Sequence, residues 1–126
     1  MIEAGSETTS QALNNTIVGL LSNPDAVTAC HEELDRVVGE DRTPTFEDIP
    51  NLPYIRALVK ETMRWRPTTK LGMNHYVIED NWYDGYFIPK DSVVILNQWA
   101  LHYDEEMFPE PEKVYPLSNV SNAVSA

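Results

Sequence analysis

The chain has 126 residues, of which 42% are hydrophobic and 23% charged, as in an ordinary globular protein. Acidic residues outnumber basic ones by 20 to 9, and no cluster of Lys and Arg offers a surface for nucleic acid or an anionic membrane. The single cysteine, Cys30, excludes an internal disulfide and a Cys-rich zinc site, and no apolar run reaches the ~18 residues of a membrane span.

Two helices are predicted first along the chain. Leucine and isoleucine recur at three- and four-residue spacing over residues 2–21, which indicates an amphipathic helix. Asn23 followed by Pro24 is typical of a helix start and Gly39 of a helix end, so a second helix is predicted between them. Cys30 lies on the apolar face of this helix and is interpreted as a small core residue.

A polar connection and a third helix follow. Thr45 followed by Glu47 and Asp48 predicts a single helical turn within the connection. Pro53 then opens a helix that ends near Trp65, because the residue before Pro67 is disfavoured in helical conformation.

The pattern changes to strands after residue 73. Strands are predicted at 74–78 and 86–88, with an Asp-Gly hairpin signal at 84–85 between them. The continuous apolar run at 93–96 suits a strand covered on both faces, and 98–103 suits a short helix. Helices followed by a small sheet predict an α+β fold.

Glu61 and Arg64 are the first candidate functional pair. Glu61 lies in an apolar stripe with Leu58 and Trp65, so its carboxylate needs a partner, and Arg64 is correctly spaced to supply one. A surface ion pair of small energetic value is the alternative that the spacing leaves open.

Glu7 and Thr8 are the second candidate pair, within AGSETT at residues 4–9. A glycine and hydroxyls can distort a helix locally and leave a carboxylate and a hydroxyl for chemistry. The alternative is that Ser6 or Thr8 caps a helix that starts later. No metal-site spacing occurs among the three histidines, His31, His75 and His102.

Taken in order, these segments resemble the cytochrome P450 family over residues 1–116. AGSETT at 4–9 is similar to its oxygen-binding segment, and ETMR at 61–64 to its Glu-x-x-Arg helix. GYFIPK at 85–90 is similar to the sheet segment that follows in the family, and FPEPE at 108–112 to the approach to its Pro-Glu-Arg-Phe motif.

The resemblance implies part of the cytochrome P450 fold, incomplete, with an unrelated or disordered tail at 117–126. It implies a haem-thiolate monooxygenase, an oxidoreductase that binds haem iron and inserts one oxygen atom from O2 into a small organic substrate. WRP at 65–67 is most similar to fungal microsomal members. Full-length relatives of that type work with an NADPH-dependent reductase on the cytosolic face of the endoplasmic reticulum membrane.

The resemblance also implies roles for single residues. Thr8 would organise protons for bound oxygen with support from Glu7, while Glu61 and Arg64 would hold the fold. The residues that it places beside the haem are Ala4, Gly5, Thr8 and His75.

The chain departs from the family pattern after Pro116, where Glu-Arg-Phe and the glycine-rich loop with the haem-ligating cysteine do not follow. Cys30 lies on a predicted helix and cannot replace that ligand. The fragment is therefore expected to be inactive alone, and a non-catalytic truncated product or interaction module is the alternative. An in-frame Phe-x-x-Gly-x-Arg-x-Cys segment in the DNA downstream of Pro116 would distinguish the two.

Overall fold

A computed structural model describes the backbone of residues 2–114 and the side chains of residues 5–114. Helices come first and small antiparallel sheets follow, so the α+β prediction is confirmed. The helices are α1 (Ile2–Leu21), α2 (Pro24–Val37), a 3₁₀ helix (Phe46–Asn51), α3 (Pro53–Trp65) and α4 (Gln98–His102). The strands are β1 (His75–Tyr76), β2 (Asn81–Tyr83), β3 (Tyr86–Ile88) and β4 (Val93–Val94). The predicted tail at 117–126 lies outside the described residues.

The described residues form two compact units. The first contains the residues up to Thr68 together with those from Glu110 onward, and the second is Thr69–Pro109. Helices α1, α2 and α3 contact one another in the first unit, while the four strands and α4 belong to the second.

Helix α1 runs without interruption through the AGSETT segment. The alternative prediction, a helix that starts later with Ser6 or Thr8 as its cap, is therefore wrong. The Ser10 hydroxyl donates to the Ser6 carbonyl at 2.5 Å, and the Thr16 hydroxyl donates to the Ala12 carbonyl at 2.9 Å. Hydroxyls that donate to the carbonyl one turn back are compatible with a continuing helix.

Helix α2 starts at Pro24, as predicted, but Asn23 does not cap it through its side chain. The Asn23 amide instead donates to the Gly19 carbonyl at 2.8 Å, which satisfies an end group of α1. Gly39 has φ +74°, a conformation that favours glycine, and its N–H donates to Leu34 at the helix end.

The connection between α2 and α3 is fixed by one ion pair. The two Arg42 guanidinium nitrogens donate to the two Asp48 carboxylate oxygens, each at 2.7 Å. Asp48 also accepts from the Thr45 N–H at 2.8 Å, at the start of the 3₁₀ helix. The predicted helical start after Thr45 is confirmed, but the segment continues as a 3₁₀ helix of six residues, and a bidentate pair holds it.

Acidification is expected to destabilise this connection through Asp48. The Arg42 hydrogen bond, with help from Thr45, holds the pKa of the Asp48 carboxyl well below its usual range. Since the unfolded carboxyl has a pKa of about 3.9, the contribution of Asp48 to stability is present above that value and is lost as the pH falls below it. The urea midpoint of unfolding, followed from about pH 6 to about pH 3, should fall less steeply for Asp48→Asn than for the wild-type chain. Asp41→Asn, an exposed neighbour in the same connection, is the matched control, and equal slopes for all three chains would contradict the prediction.

Helix α3 begins at Pro53 and ends at Trp65, as predicted. Its Leu58 packs with Cys30 of α2 in the buried core of the first unit. Partly buried apolar residues surround them, namely Leu20, Tyr54, Ile55 and Ala57. The interpretation of Cys30 as a core residue is therefore confirmed.

The sheet pairing differs from the prediction. The hairpin turn is at Asp84 and Gly85, whose φ angles are +48° and +80°, but it joins β2 to β3. The segment predicted as the other hairpin strand supplies β1 instead, which pairs with β4 so that His75 faces Val94. A two-residue turn pairs the residues directly on either side of it. Residues 81–83, and not the predicted 74–78, therefore form the strand that pairs with β3.

Residues 93–96 were predicted to be covered on both faces, and in this chain they are not. Their four side chains are each about half exposed, and only Val93 and Val94 form a strand. The continuous apolar run can be read from the sequence. Whether other segments cover both of its faces depends on parts of the chain that are distant in sequence.

Candidate functional site

The candidate residues of α1 lie on its first half. Ala4 belongs to the helix, and Gly5, Glu7 and Thr8 are exposed. A Cβ atom built on Gly5 would meet nothing within 4 Å, so open space borders the helix there. A flat ligand can approach the backbone at such a position because no side chain projects from it.

Glu61 and Arg64 form a buried ion pair on α3. The Arg64 Nε donates to Glu61 Oε2 at 2.8 Å, and Arg64 Nη2 donates to Glu61 Oε1 at 2.7 Å. Their side chains are only 2% and 8% exposed, so the surface ion pair is the wrong alternative. A pair that is both bidentate and removed from water satisfies the requirement that a buried charge be matched.

Arg64 also binds two backbone carbonyls, which lie 47 and 49 residues further along the chain. Its Nη1 donates to the Pro111 carbonyl at 3.0 Å, and its Nη2 donates to the Lys113 carbonyl at 2.9 Å. The Trp65 indole N–H donates to the Glu112 carbonyl between them at 2.7 Å. We call this arrangement the Arg64 clasp; its members are Glu61, Arg64, Trp65 and the carbonyls of Pro111, Glu112 and Lys113.

The chemistry of the clasp is structural. The Glu61 carboxylate balances the charge of Arg64, and the planar guanidinium fixes this carboxylate and the Pro111 and Lys113 carbonyls in position. The clasp therefore orders residues 111–113, and the Glu61 carboxylate holds Arg64.

His75 lies on β1 in the second unit and is exposed. The candidates on α1 and α3 belong to the first unit. The structure thus brings Glu61 and Arg64 into direct contact and assigns His75 to a separate compact part of the chain.

Cys30 is 8% exposed, in the core. Burial, and next the negative charge of Glu33, raise the pKa of its thiol. Iron is held by a thiolate, which requires a lowered pKa and access to the ligand, so Cys30 does not fit the axial position of a haem. The open face at Gly5 and Thr8 does fit contact with the edge or face of such a group.

Among residues 2–114, no helix combines the length and hydropathy needed to cross a membrane. No group of three His, Cys, Asp or Glu side chains within the same residues is arranged to hold a metal ion.

Two buried polar residues that contact α3, Asn15 and Glu33, were not predicted from the sequence. Both Glu33 carboxylate oxygens accept from the first free N–H groups of α3, those of Tyr54 and Ile55, each at 3.0 Å. The Asn15 amide donates to the Arg66 carbonyl at the other end of α3 at 2.9 Å. Glu33 had a usable signal, since it follows the core residue Cys30 by three positions and so lies on the buried face of α2.

Three comparisons with known proteins agree on the kind of protein. The family model for cytochrome P450 matches residues 1–117. The cytochrome P450 monooxygenase verL of Clonostachys rogersoniana is 54% identical over 99% of this chain and 23% of its own length. The monooxygenase yanC of Aspergillus niger is 49% identical over 92% of this chain and 22% of its own length. A zebra fish cytochrome P450 structure with progesterone superposes with a TM-score of 0.86 at 35% identity, over 98% of this chain and 28% of that one.

The fold and these similarities assign the chain to one protein family. The chain belongs to the cytochrome P450 family, and the similar monooxygenases named above are fungal, as the sequence predicted. It spans less than a quarter of the length of these curated relatives.

Proposed function

We propose that residues 2–114 serve in a haem-thiolate monooxygenase that inserts one oxygen atom from O2 into a small organic substrate. The observation that carries this proposal is the buried Glu61–Arg64 pair, present at the Glu-x-x-Arg position in a chain of the cytochrome P450 family. Residues 1–116 are proposed as one part of that domain.

In such an enzyme the haem supplies the oxygen chemistry, and the protein supplies orientation and protons. Gly5 and Ala4 would form the stretch of α1 that lies against the group, supported by the open space beside Gly5. The Thr8 hydroxyl would hold and pass a proton, and the Glu7 carboxylate would help to supply it. His75, exposed on β1, would donate to a haem propionate.

The thiolate is proposed to come from sequence outside these 126 residues, because the one cysteine present is buried in the core. Electrons are proposed to come from an NADPH-dependent reductase, and the whole protein to work at the cytosolic face of the endoplasmic reticulum membrane.

The Thr8 proposal is tested by Thr8→Ala in the whole protein that contains this segment. Product formation is expected to fall about 10²-fold, the usual contribution of a positioned proton donor, while the spectrum of the reduced protein with carbon monoxide stays unchanged. Thr9→Ala, which removes the neighbouring exposed hydroxyl, is the matched control and should retain activity. Full activity of Thr8→Ala would refute the role, and equal losses in both variants would assign the effect to the helix as a whole.

A further inference from the structure

Helix α3 carries Glu61, Arg64 and Trp65, yet its own terminal residues do little to cap it. The N-cap position is Leu52, which provides no side-chain hydrogen bond, and the C-cap position is Arg66. The first N–H groups and last carbonyls of any helix need partners. In this helix, two buried side chains from neighbouring helices supply them.

Glu33 of α2 serves the N-terminus of α3. Pro53 has no N–H, and the next two N–H groups, of Tyr54 and Ile55, each donate to one Glu33 oxygen. The carboxylate is only 7% exposed, and a negative charge at a helix N-terminus is favourable because of the helix dipole. Arg36 approaches Glu33 at 3.7 Å from the exposed side.

Asn15 of α1 serves the C-terminus of α3. Its Nδ2 donates to the Arg66 carbonyl, and its Oδ1 accepts from the Gln11 side chain at 3.0 Å. Both polar atoms of this 7% exposed side chain are therefore used, which fixes the orientation of the amide.

We infer that Asn15 and Glu33 are positioning residues that fix α3 along its axis, so that Arg64 and Trp65 meet the carbonyls of residues 111–113. Hydrophobic burial is non-directional, so it fixes the axial position of a helix less strictly than hydrogen bonds do. A shift by the rise of one residue, about 1.5 Å, would break the hydrogen bonds at both ends of α3 together with those of the clasp. Hydrogen bonds from two different helices, with Glu33 at one end of α3 and Asn15 at the other, oppose the shift in both directions.

This inference goes beyond the proposed function, because it concerns the clasp and not the oxygen chemistry. Its test therefore uses no enzymatic activity, and it can fail while the monooxygenase proposal stands. Two positions next to the proposed ones provide matched controls. Glu32 and Asn14 are exposed neighbours on the same helices, of the same residue types as Glu33 and Asn15.

The measurement is hydrogen exchange by NMR in the full 126-residue chain. Trimethylamine N-oxide is added because this osmolyte favours the folded state. Glu33→Gln and Asn15→Ala are each expected to speed exchange of the Trp65 indole and Arg64 Nε hydrogens about tenfold, the effect of losing one hydrogen bond of this kind. Backbone amides in the middle of α1 and α2 should keep their rates, as should every site in Glu32→Gln and Asn14→Ala. An equal acceleration of all amides would mean that the variants only lower global stability, and would overturn the inference.

A measurement on the wild-type chain alone gives an independent test. The Tyr54 and Ile55 amides and the Trp65 indole hydrogen are expected to exchange through one common opening, with the same dependence on low urea concentrations. Opening of the α3 N-terminus without any opening at Trp65 would overturn the inference, even if a variant failed to fold.

Discussion

Replacing Glu61 by Ala is expected to destabilise the chain by about 3 to 5 kcal/mol, the usual cost of removing one partner of a buried ion pair. Arg64 would keep its charge in a site where its side chain is 8% exposed. Its hydrogen bonds to the Pro111 and Lys113 carbonyls cannot replace the lost negative charge. The loss is measured as the free energy of unfolding from urea titrations in trimethylamine N-oxide.

Lys113→Ala provides the matched control within the same structure. Lys113 pairs with Glu110, but both side chains are 67% exposed, and the substitution retains the Lys113 carbonyl that Arg64 binds. An exposed pair contributes roughly 0 to 1 kcal/mol. A loss for Glu61→Ala no larger than that for Lys113→Ala would contradict the structural role of the clasp.

The helices of this chain were predictable because their signals are local. Pro24 and Gly39 delimit α2, and Pro53 opens α3, each through a constraint that acts within a few residues. The Glu61–Arg64 pair was predictable for the same reason, since three residues separate its members on one helix. That this pair is buried was left open by the spacing, and the structure settles it.

The remainder of the clasp had no signal in the sequence. Arg64 and Trp65 reach carbonyls 47 to 49 residues away, and every residue has a carbonyl, so residue types do not identify the acceptors. The predicted strand pairing was wrong for a related reason. The turn at 84–85 was predicted correctly. Whether residues 74–78 or residues 81–83 pair with β3 depends, however, on the pairing of β1 with β4.

The purified 126-residue chain is expected not to bind haem through a thiolate. Cys30 is its only cysteine, and that residue packs against Leu58 between α2 and α3. Binding iron would require the thiol to lose its proton in a place where burial and Glu33 raise its pKa, and would require the core to open. The measurement is the absorption spectrum of the chain with added haem, reduced and exposed to carbon monoxide, which should lack the Soret band of a thiolate-bound complex.

Cys30→Ala is the control that gives this measurement its meaning. Because the thiol is not expected to touch iron, the wild-type and Cys30→Ala chains should give the same spectrum, including any signal from haem held loosely through an exposed histidine such as His75. A thiolate Soret band in the wild-type chain that disappears in Cys30→Ala would contradict the prediction. It would make Cys30 the ligand and require α2 to separate from α3, with the Glu33 hydrogen bonds to Tyr54 and Ile55 broken in the same step.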